Sequence, residues 1–196
     1  MLPELSDTQE SALGEYESLL RDRGVAIGLV AASDADRMGE RHVRDSLRVA
    51  ALFSDDDSLV CDIGSGAGLP GIVLAIARPD IRFVLVEPRT RAVGFLELAA
   101  DRLGLGNVEV RAERVEEVEL AADVATARAY GSIAKSWNAA CRVLRPGGRL
   151  IYFAGEAMTD PEAAARSITA PQRADSVLVE RVVAGSSPLV IMTRHA

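Results

Sequence analysis

The residues best suited to do chemistry are Asp62-Ile63-Gly64-Ser65-Gly66-Ala67-Gly68, three alternating glycines behind a short apolar run that ends in an acid. Glycine lets a backbone pass close beneath a ligand, and the free amides where a helix begins attract negative groups. Two cofactor classes use such a loop. A dinucleotide needs G-x-G-x-x-G, with its pyrophosphate on the helix N-terminus. That pattern exists as Gly66-Ala67-Gly68-Leu69-Pro70-Gly71, but it starts two residues late and puts Pro70 where a phosphate needs an N–H. The earlier frame, Asp62-x-Gly64-x-Gly66-x-Gly68, suits S-adenosylmethionine. That cofactor carries an ammonium and a sulfonium near the loop and no phosphate, so an acid at the strand end helps. Asp62, Gly64, Ser65, Gly66 and Gly68 are therefore expected to bind it. Glu87, at the end of the next strand, is expected to hold both ribose hydroxyls. The plainer alternative has Asp62 capping the turn and Glu87 in solvent. Two strand-end acids that agree with three alternating glycines weigh against it.

These residues need a sheet behind them. Leu59–Ile63 and 83–87 are short apolar runs of the kind buried in parallel sheets, and Val108–Val110 and Asp123–Thr126 supply two more. Helices are expected at about 70–77, 89–103 (closed by Gly104) and 131–144 (stopped by Arg145-Pro146-Gly147-Gly148), followed by a fifth strand at 149–153. Two β-rich runs, Ser176–Val183 and Leu189–Thr193, are close enough to pair antiparallel. The fold class is α/β: a doubly wound, mostly parallel sheet with an antiparallel C-terminal strand. Residues 1–54 read as a helical extension and 55–196 as the sheet domain, together one compact body. In the extension, Ser6 and Gln9 form a capping-box pattern, and Ser33 and Asp36 repeat its spacing before a helix over about 34–53.

Composition narrows the partners. The 196 residues are 48% hydrophobic and 26% charged, a globular balance with room for one domain. Two cysteines, Cys61 and Cys141, both in apolar stretches, exclude a disulfide scaffold. The start, MLPELSDTQE, has neither a basic nor an apolar signal region, and no apolar run reaches the ~18 residues of a membrane span, so a cytoplasmic protein is expected. No metal site is expected, and a monomer is. A net charge of −7 argues against a general nucleic-acid coat, but a local basic face is compatible with it. Arg37, Arg41, Arg44 and Arg48 fall at i, i+4, i+7 and i+11, a helical stripe able to track an RNA backbone. Pairs such as Arg41–Asp45 allow a merely solvated face instead. His42 is counted with the stripe, against a hydrogen-bonded structural role. Tyr130 could stack on a base, or pack in the core with Trp137.

The chain resembles the RsmG (GidB) family of bacterial small-subunit ribosomal RNA methyltransferases. The resemblance is carried by Asp62-Ile-Gly-Ser-Gly-Ala-Gly-Leu-Pro-Gly71, whose Leu-Pro-Gly ordinary methyltransferase loops lack. It is extended by Arg41-His42-x-x-Asp45-Ser46, Arg111-Ala112-Glu113 and Arg128-Ala129. It implies a class I S-adenosylmethionine-dependent methyltransferase fold behind an N-terminal helical extension, and methyl transfer to N7 of one guanine in small-subunit (16S) ribosomal RNA. It further implies that Gly64 and Leu69 contact the cofactor, that Ala112 and Glu113 lie at the adenine, and that Arg128 borders the methyl-transfer pocket. There are departures. Where relatives carry Lys-Gly after strand five the chain reads Ala154-Gly155, an expected Asn-Leu-Thr is Gly28-Leu29-Val30, and a basic pair is Arg91-Ala92. N7 of guanine carries a lone pair and no proton, so in-line transfer needs alignment and no general base. The chain has no Ser-His-Asp or Cys-His constellation, and Arg128 is assigned to orientation, against a structural ion pair with a neighbouring carboxylate. A diverged small-molecule methyltransferase and a cofactor-binding homologue without catalysis are the alternatives; a dinucleotide oxidoreductase is the more distant one.

Overall fold

In the computed structural model the described residues are 2–155, 158–168, 174–182 and 186–195, with no side-chain description at 35–37, 40 and 41. Val183 and Gly185, placed in the tail hairpin by sequence, lie outside them. Five parallel strands form where the apolar runs end at glycine or polar breaks: β1 (Leu59–Ile63), β2 (Arg82–Val86), β3 (Val108–Arg111), β4 (Ala122–Ala127) and β5 (Leu144–Phe153). The sheet order is β3-β2-β1-β4-β5-β7-β6, where β7 (Leu189–Thr193) runs antiparallel between β5 and β6 (Ser176–Glu180). The chain reverses its direction of travel between β1 and β4, and the carboxyl ends at that reversal are where such sheets bind ligands.

Alternation along the strands sends the two faces into separate cores. Val60, Phe83, Leu85, Val124, Ile151 and Phe153 meet α3 (Gly71–Ala77) and α4 (Thr90–Arg102). Cys61, Val84, Val86, Ala125, Leu150 and Tyr152 meet α5 (Ile133–Val143), with Trp137 fully buried between them. A short helix, α6 (Pro161–Arg166), precedes β6; it is not among the elements expected from sequence, although Asp160 caps it and Pro161 opens it.

The extension packs into the first core. α1 (Asp7–Leu19) starts with the expected capping box, in which the Ser6 hydroxyl and the Gln9 side chain each accept the other residue's backbone N–H. The Gln9 amide also donates to the carbonyls of Ile76 and Ala77, so it closes the C-terminus of α3 as well. Leu13, Tyr16, Leu19 and Leu20 are buried against that core. The second segment departs from expectation. The residue before its first turn is Ala31, without a side-chain cap, and no single helix spans 34–53. Instead a 3-10 stretch (Ala32–Arg37), a π stretch (Gly39–Val43), α2 (Arg44–Leu47) and a 3-10 stretch (Arg48–Leu52) follow one another. Two contacts account for the irregularity. A Cβ on Gly39 would stand 2.9 Å from the Glu17 carboxylate, so α1 presses on the backbone there. The Ser46 hydroxyl donates to the His42 carbonyl (2.7 Å), a bond of the kind that bends helices. The backbone expected to carry the arginines is therefore not one regular helix.

Candidate functional site

The glycine loop leaves β1 with Gly64, Gly66 and Gly68 all at positive φ (68°, 57° and 90°), a backbone open to glycine and strained for other residues. The loop is also tightly covered. A Cβ on Gly64 would lie 2.5 Å from the Tyr130 ring, and one on Gly68 would strike Ile72 and the Tyr16 hydroxyl. Asp62 sits beneath the loop with both carboxylate oxygens turned into the protein. Oδ1 accepts the Thr126 hydroxyl of β4 (2.7 Å) and Oδ2 accepts the Gly71 N–H at the start of α3 (3.3 Å). Burial pushes its pKa up to about 6, against the hydrogen bonds from Thr126, Ser65 and Gly71. The expectation that Asp62 faces a cationic cofactor group is thus replaced by a brace: the acid ties β1, β4 and the first turn of α3 together under the loop. Ser65 is buried and donates to the Asp62 carbonyl (2.9 Å), so it too shapes the turn.

Glu87 follows β2 and is 2% exposed. Its Oε2 accepts the Gly66 N–H (2.9 Å) and its Oε1 the Arg89 N–H (2.9 Å), which fixes the carboxylate beside the second loop glycine. The Arg89 side chain adds Nε to Oε1 (2.8 Å) and Nη2 to Oε2 (3.2 Å). Burial alone would raise this acid's pKa; the Arg89 side chain and the two N–H donors outweigh it and hold the pKa below the usual range. Ala112 and Glu113 follow β3 on the same edge of the sheet, where the Arg111 carbonyl accepts the Glu87 N–H (3.1 Å). Leu69 lies half-buried after the loop.

Tyr16 is legible in sequence only as an apolar position of α1. It is fully buried, and its hydroxyl donates to the Ala67 carbonyl in the middle of the loop (2.6 Å). Burial, and then the nearby Asp62, raise its pKa well above that of an ordinary tyrosine, with Arg128 acting in the opposite sense, so it stays a neutral donor. No sequence signal marks it beyond a polar atom on a buried face.

Arg128, just past β4, reaches back to the extension. Nη1 donates to the His42 carbonyl (3.2 Å) and the Ser46 hydroxyl (3.2 Å), Nη2 lies 3.0 Å from His42 Nδ1, and Asp45 is 3.4 Å away. The ion pair with a neighbouring carboxylate, the alternative to orientation in the sequence reading, is therefore present. His42 Nε2 meets Asp34 (3.2 Å). Because Nδ1 faces a guanidinium, it accepts there and Nε2 donates, which assigns the tautomer. After Arg128 the chain turns through Ala129 (φ 54°), a strained conformation for alanine, and brings the Tyr130 ring over Gly64, with the Lys135 ammonium 4.6 Å from the ring centroid.

Of the arginine stripe, Arg44 and Arg48 have described side chains, and they part ways. Arg48 is 2% exposed. It pairs with Asp45 and donates to the Ser186 hydroxyl (2.9 Å) and the Ser187 carbonyl (2.7 Å), so it is a buried tether and not an RNA contact. Arg44 is exposed; the side chains of Arg37 and Arg41 lie outside the described residues. Among the described residues no group of three His, Cys, Asp or Glu side chains is arranged to hold a metal, and no helix is long and apolar enough to cross a membrane.

The sequence that builds this loop, brace and acid matches a known family. The family model for GidB, rRNA small subunit methyltransferase G, matches residues 9–189. The chain belongs to this family. It is 40% identical over 183 residues to a ribosomal RNA small subunit methyltransferase G from Clavibacter sepedonicus, covering 92% of this chain and 84% of the relative. Against the one from Mycobacterium leprae (strain TN) it is 40% identical over 189 residues, covering 91% and 76%. Among solved structures it is similar to the S-adenosylmethionine-dependent methyltransferase SibL in its apo form, with a TM-score of 0.64 at 16% identity over 94% of this chain and 70% of that one. It is also similar to M. jannaschii TYW2 in complex with AdoMet, with a TM-score of 0.57 at 17% identity over 79% and 75%. At those identities the structures establish the fold, that of the S-adenosylmethionine-dependent methyltransferases. The residues present fit the cofactor: a loop whose three glycines take the positive φ that lets the backbone turn tightly, open at Gly66, beside a buried acid able to receive a diol.

Proposed function

We propose that this chain methylates N7 of a guanine in small-subunit ribosomal RNA, with S-adenosylmethionine as methyl donor and no general base. The observation that carries the reading is the buried Glu87 carboxylate fixed by the Gly66 N–H beside three positive-φ glycines, in a chain that belongs to the rRNA small subunit methyltransferase G family. The cofactor supplies an electrophilic methyl on sulfonium. Glu87 would receive the ribose hydroxyls, and the Gly64–Gly68 backbone and Leu69 would lie along the methionine and ribose. Ala112 and Glu113 would flank the adenine. Asp62, Ser65 and Tyr16 act on the loop from beneath and behind and hold its shape.

Guanine N7 needs only to be aligned, so the residues of the pocket have positions to hold and no proton to move. Arg128 is suited to positioning, because Asp45, Ser46 and His42 hold its guanidinium in place. His42 lies between Arg128 and Asp34, which makes it a bridge between extension and sheet. RNA contact rests on Arg44, with Arg37 and Arg41 as candidates by sequence alone. The test is transfer of labelled methyl from S-adenosylmethionine into small subunits that lack the modification, followed by mass mapping of the methylated nucleotide. A 7-methylguanine at one position is expected. Cofactor binding without transfer to any subunit preparation would refute the assignment of substrate.

A further inference from the structure

We propose that the Arg89 guanidinium is an internal occupant of the ribose subsite, so that a ribose diol is bound only as Arg89 gives up Glu87. The proposal rests on the reading of Glu87 as the acid that receives the ribose. A carboxylate offers about four lone-pair positions, two on each oxygen. In Glu87 all four are taken: the Arg89 N–H and Nε on Oε1, and the Gly66 N–H and Arg89 Nη2 on Oε2.

The four bonds divide into two kinds. The two backbone donors belong to the loop and to the start of α4, and they hold the carboxylate in place whatever the side chain does. The other two come from one Arg89 fork with one N–H on each oxygen. A cis-diol presents the same pattern, two adjacent donors to two oxygens of one carboxylate. The fork and the diol therefore ask for the same pair of lone pairs, and both cannot have them. The position agrees with the count. Arg89 Nη2 lies 3.5 Å from where a Cβ on Gly66 would stand, so the guanidinium lies over the open side of the glycine loop. The arginine is also free to leave: its side chain is 65% exposed, whereas that of Glu87 is 3% exposed.

Two consequences separate this device from an ordinary ion pair at the rim. Removing the fork should tighten the binding of any ligand that carries the diol. Salt, which weakens an exposed charge pair, should tighten diol binding to the native protein as well.

Adenosine is the suitable probe because it has the diol and no charge, and 2′,3′-dideoxyadenosine is its control. By calorimetry or fluorescence on the full chain, Arg89→Ala is expected to bind adenosine about fivefold more tightly than the native protein, the worth of one exposed bidentate pair. Dideoxyadenosine should bind both proteins alike. Arg89→Lys, which keeps the charge but cannot fill both oxygens from one nitrogen, should also bind adenosine more tightly. Raising the salt from 50 to 500 mM, on the order of a threefold fall in screening length, should strengthen adenosine binding to the native protein and leave Arg89→Ala unchanged. Equal or weaker adenosine binding by both variants would overturn the proposal and make Arg89 part of the binding surface. The reading of Glu87 is checked separately by Glu87→Gln: a loss of tenfold or more in adenosine affinity supports it, and native affinity refutes it whatever Arg89 does.

Discussion

Asp62 is a carboxylate that the fold keeps at a cost, and replacing it with asparagine measures that cost. Burial raises its pKa from 3.8 to about 6, so the folded protein holds this proton more tightly than the unfolded chain does. Stability from this group is therefore complete below about pH 4, falls as the pH rises through 6, and stays lower above that. Two units at 1.36 kcal/mol each amount to roughly 3 kcal/mol of destabilisation at neutral pH. The amide of Asp62→Asn keeps an oxygen for the Thr126 hydroxyl but turns an NH₂ toward the Gly71 N–H, losing a long bond worth about 1 kcal/mol. Asp62→Asn should thus be more stable than the native protein by about 1–2 kcal/mol at pH 7.5, and less stable by about 1 kcal/mol near pH 4. Urea unfolding followed through Trp137, the single and fully buried tryptophan, reads both values. Contributions from other groups cancel when variant and native protein are compared at each pH. A difference that does not change sign or size between pH 4 and 7.5 would show that Asp62 is not a strained acid. Adenosine affinity should stay within a few-fold in Asp62→Asn, because the acid faces inward, and be lost in Asp62→Ala, which unbraces Thr126 and Gly71 together.

Three further outcomes follow from the same contacts. Asp123 accepts from Ser58 N–H and hydroxyl, Leu59 N–H and Arg145; burial would raise its pKa, but these donors bring it down to about 2. Its contribution is present above about pH 4 and lost as the pH falls toward 2, so Asp123→Ala should cost on the order of 2 kcal/mol at pH 7 and much less at pH 2.5 by urea midpoints. Tyr16→Phe should cost about 1 kcal/mol in stability and weaken adenosine binding several-fold, since it frees the Ala67 carbonyl; unchanged affinity would detach α1 from the site. Gly68→Ala should lose adenosine binding, whereas Gly14→Ala, mid-helix in α1 with open space around its Cβ, should raise stability by about 0.5–1 kcal/mol.

The parts legible in the sequence are those that depend on neighbours in the chain. Leu59–Ile63 and Arg82–Val86 are strands because their runs are apolar but for Asp62 and the leading Arg82, and the positive φ at Gly64, Gly66 and Gly68 is a local demand that only glycine meets without strain. The acid after β2 follows from the same local grammar. What escaped depends on distant partners. Arg48 sits at helical spacing from Arg44, yet its guanidinium is buried by Ser186 and Ser187, 138 and 139 residues further along the chain. Tyr16 is one more apolar position until Ala67 is known to lie above it. The Arg89–Glu87 pair is an intermediate case: the two residues are adjacent but one, and only the burial of Glu87 turns that adjacency into competition for a subsite.

The buried arginines also change what the missing lysine after β5 means. Relatives are expected to carry a positive charge where Ala154 stands, and by sequence its absence weakens the substrate side. In the fold, Arg48 and Arg128 both lie against the Phe153 ring, 5.9 and 5.4 Å from its centroid, one from the extension and one from the end of β4. Both pair with Asp45, so among the described residues two guanidiniums share one carboxylate at the end of β5. Guanidinium groups supplied by other elements therefore stand at Phe153, the residue before Ala154. Because Arg48 and Asp45 both come from the extension, that arrangement depends on the extension being docked. Its broken helical geometry is the means: a regular helix would set Arg48 in solvent with Arg44, and the 3-10 turn at Arg48–Leu52 lets it turn inward.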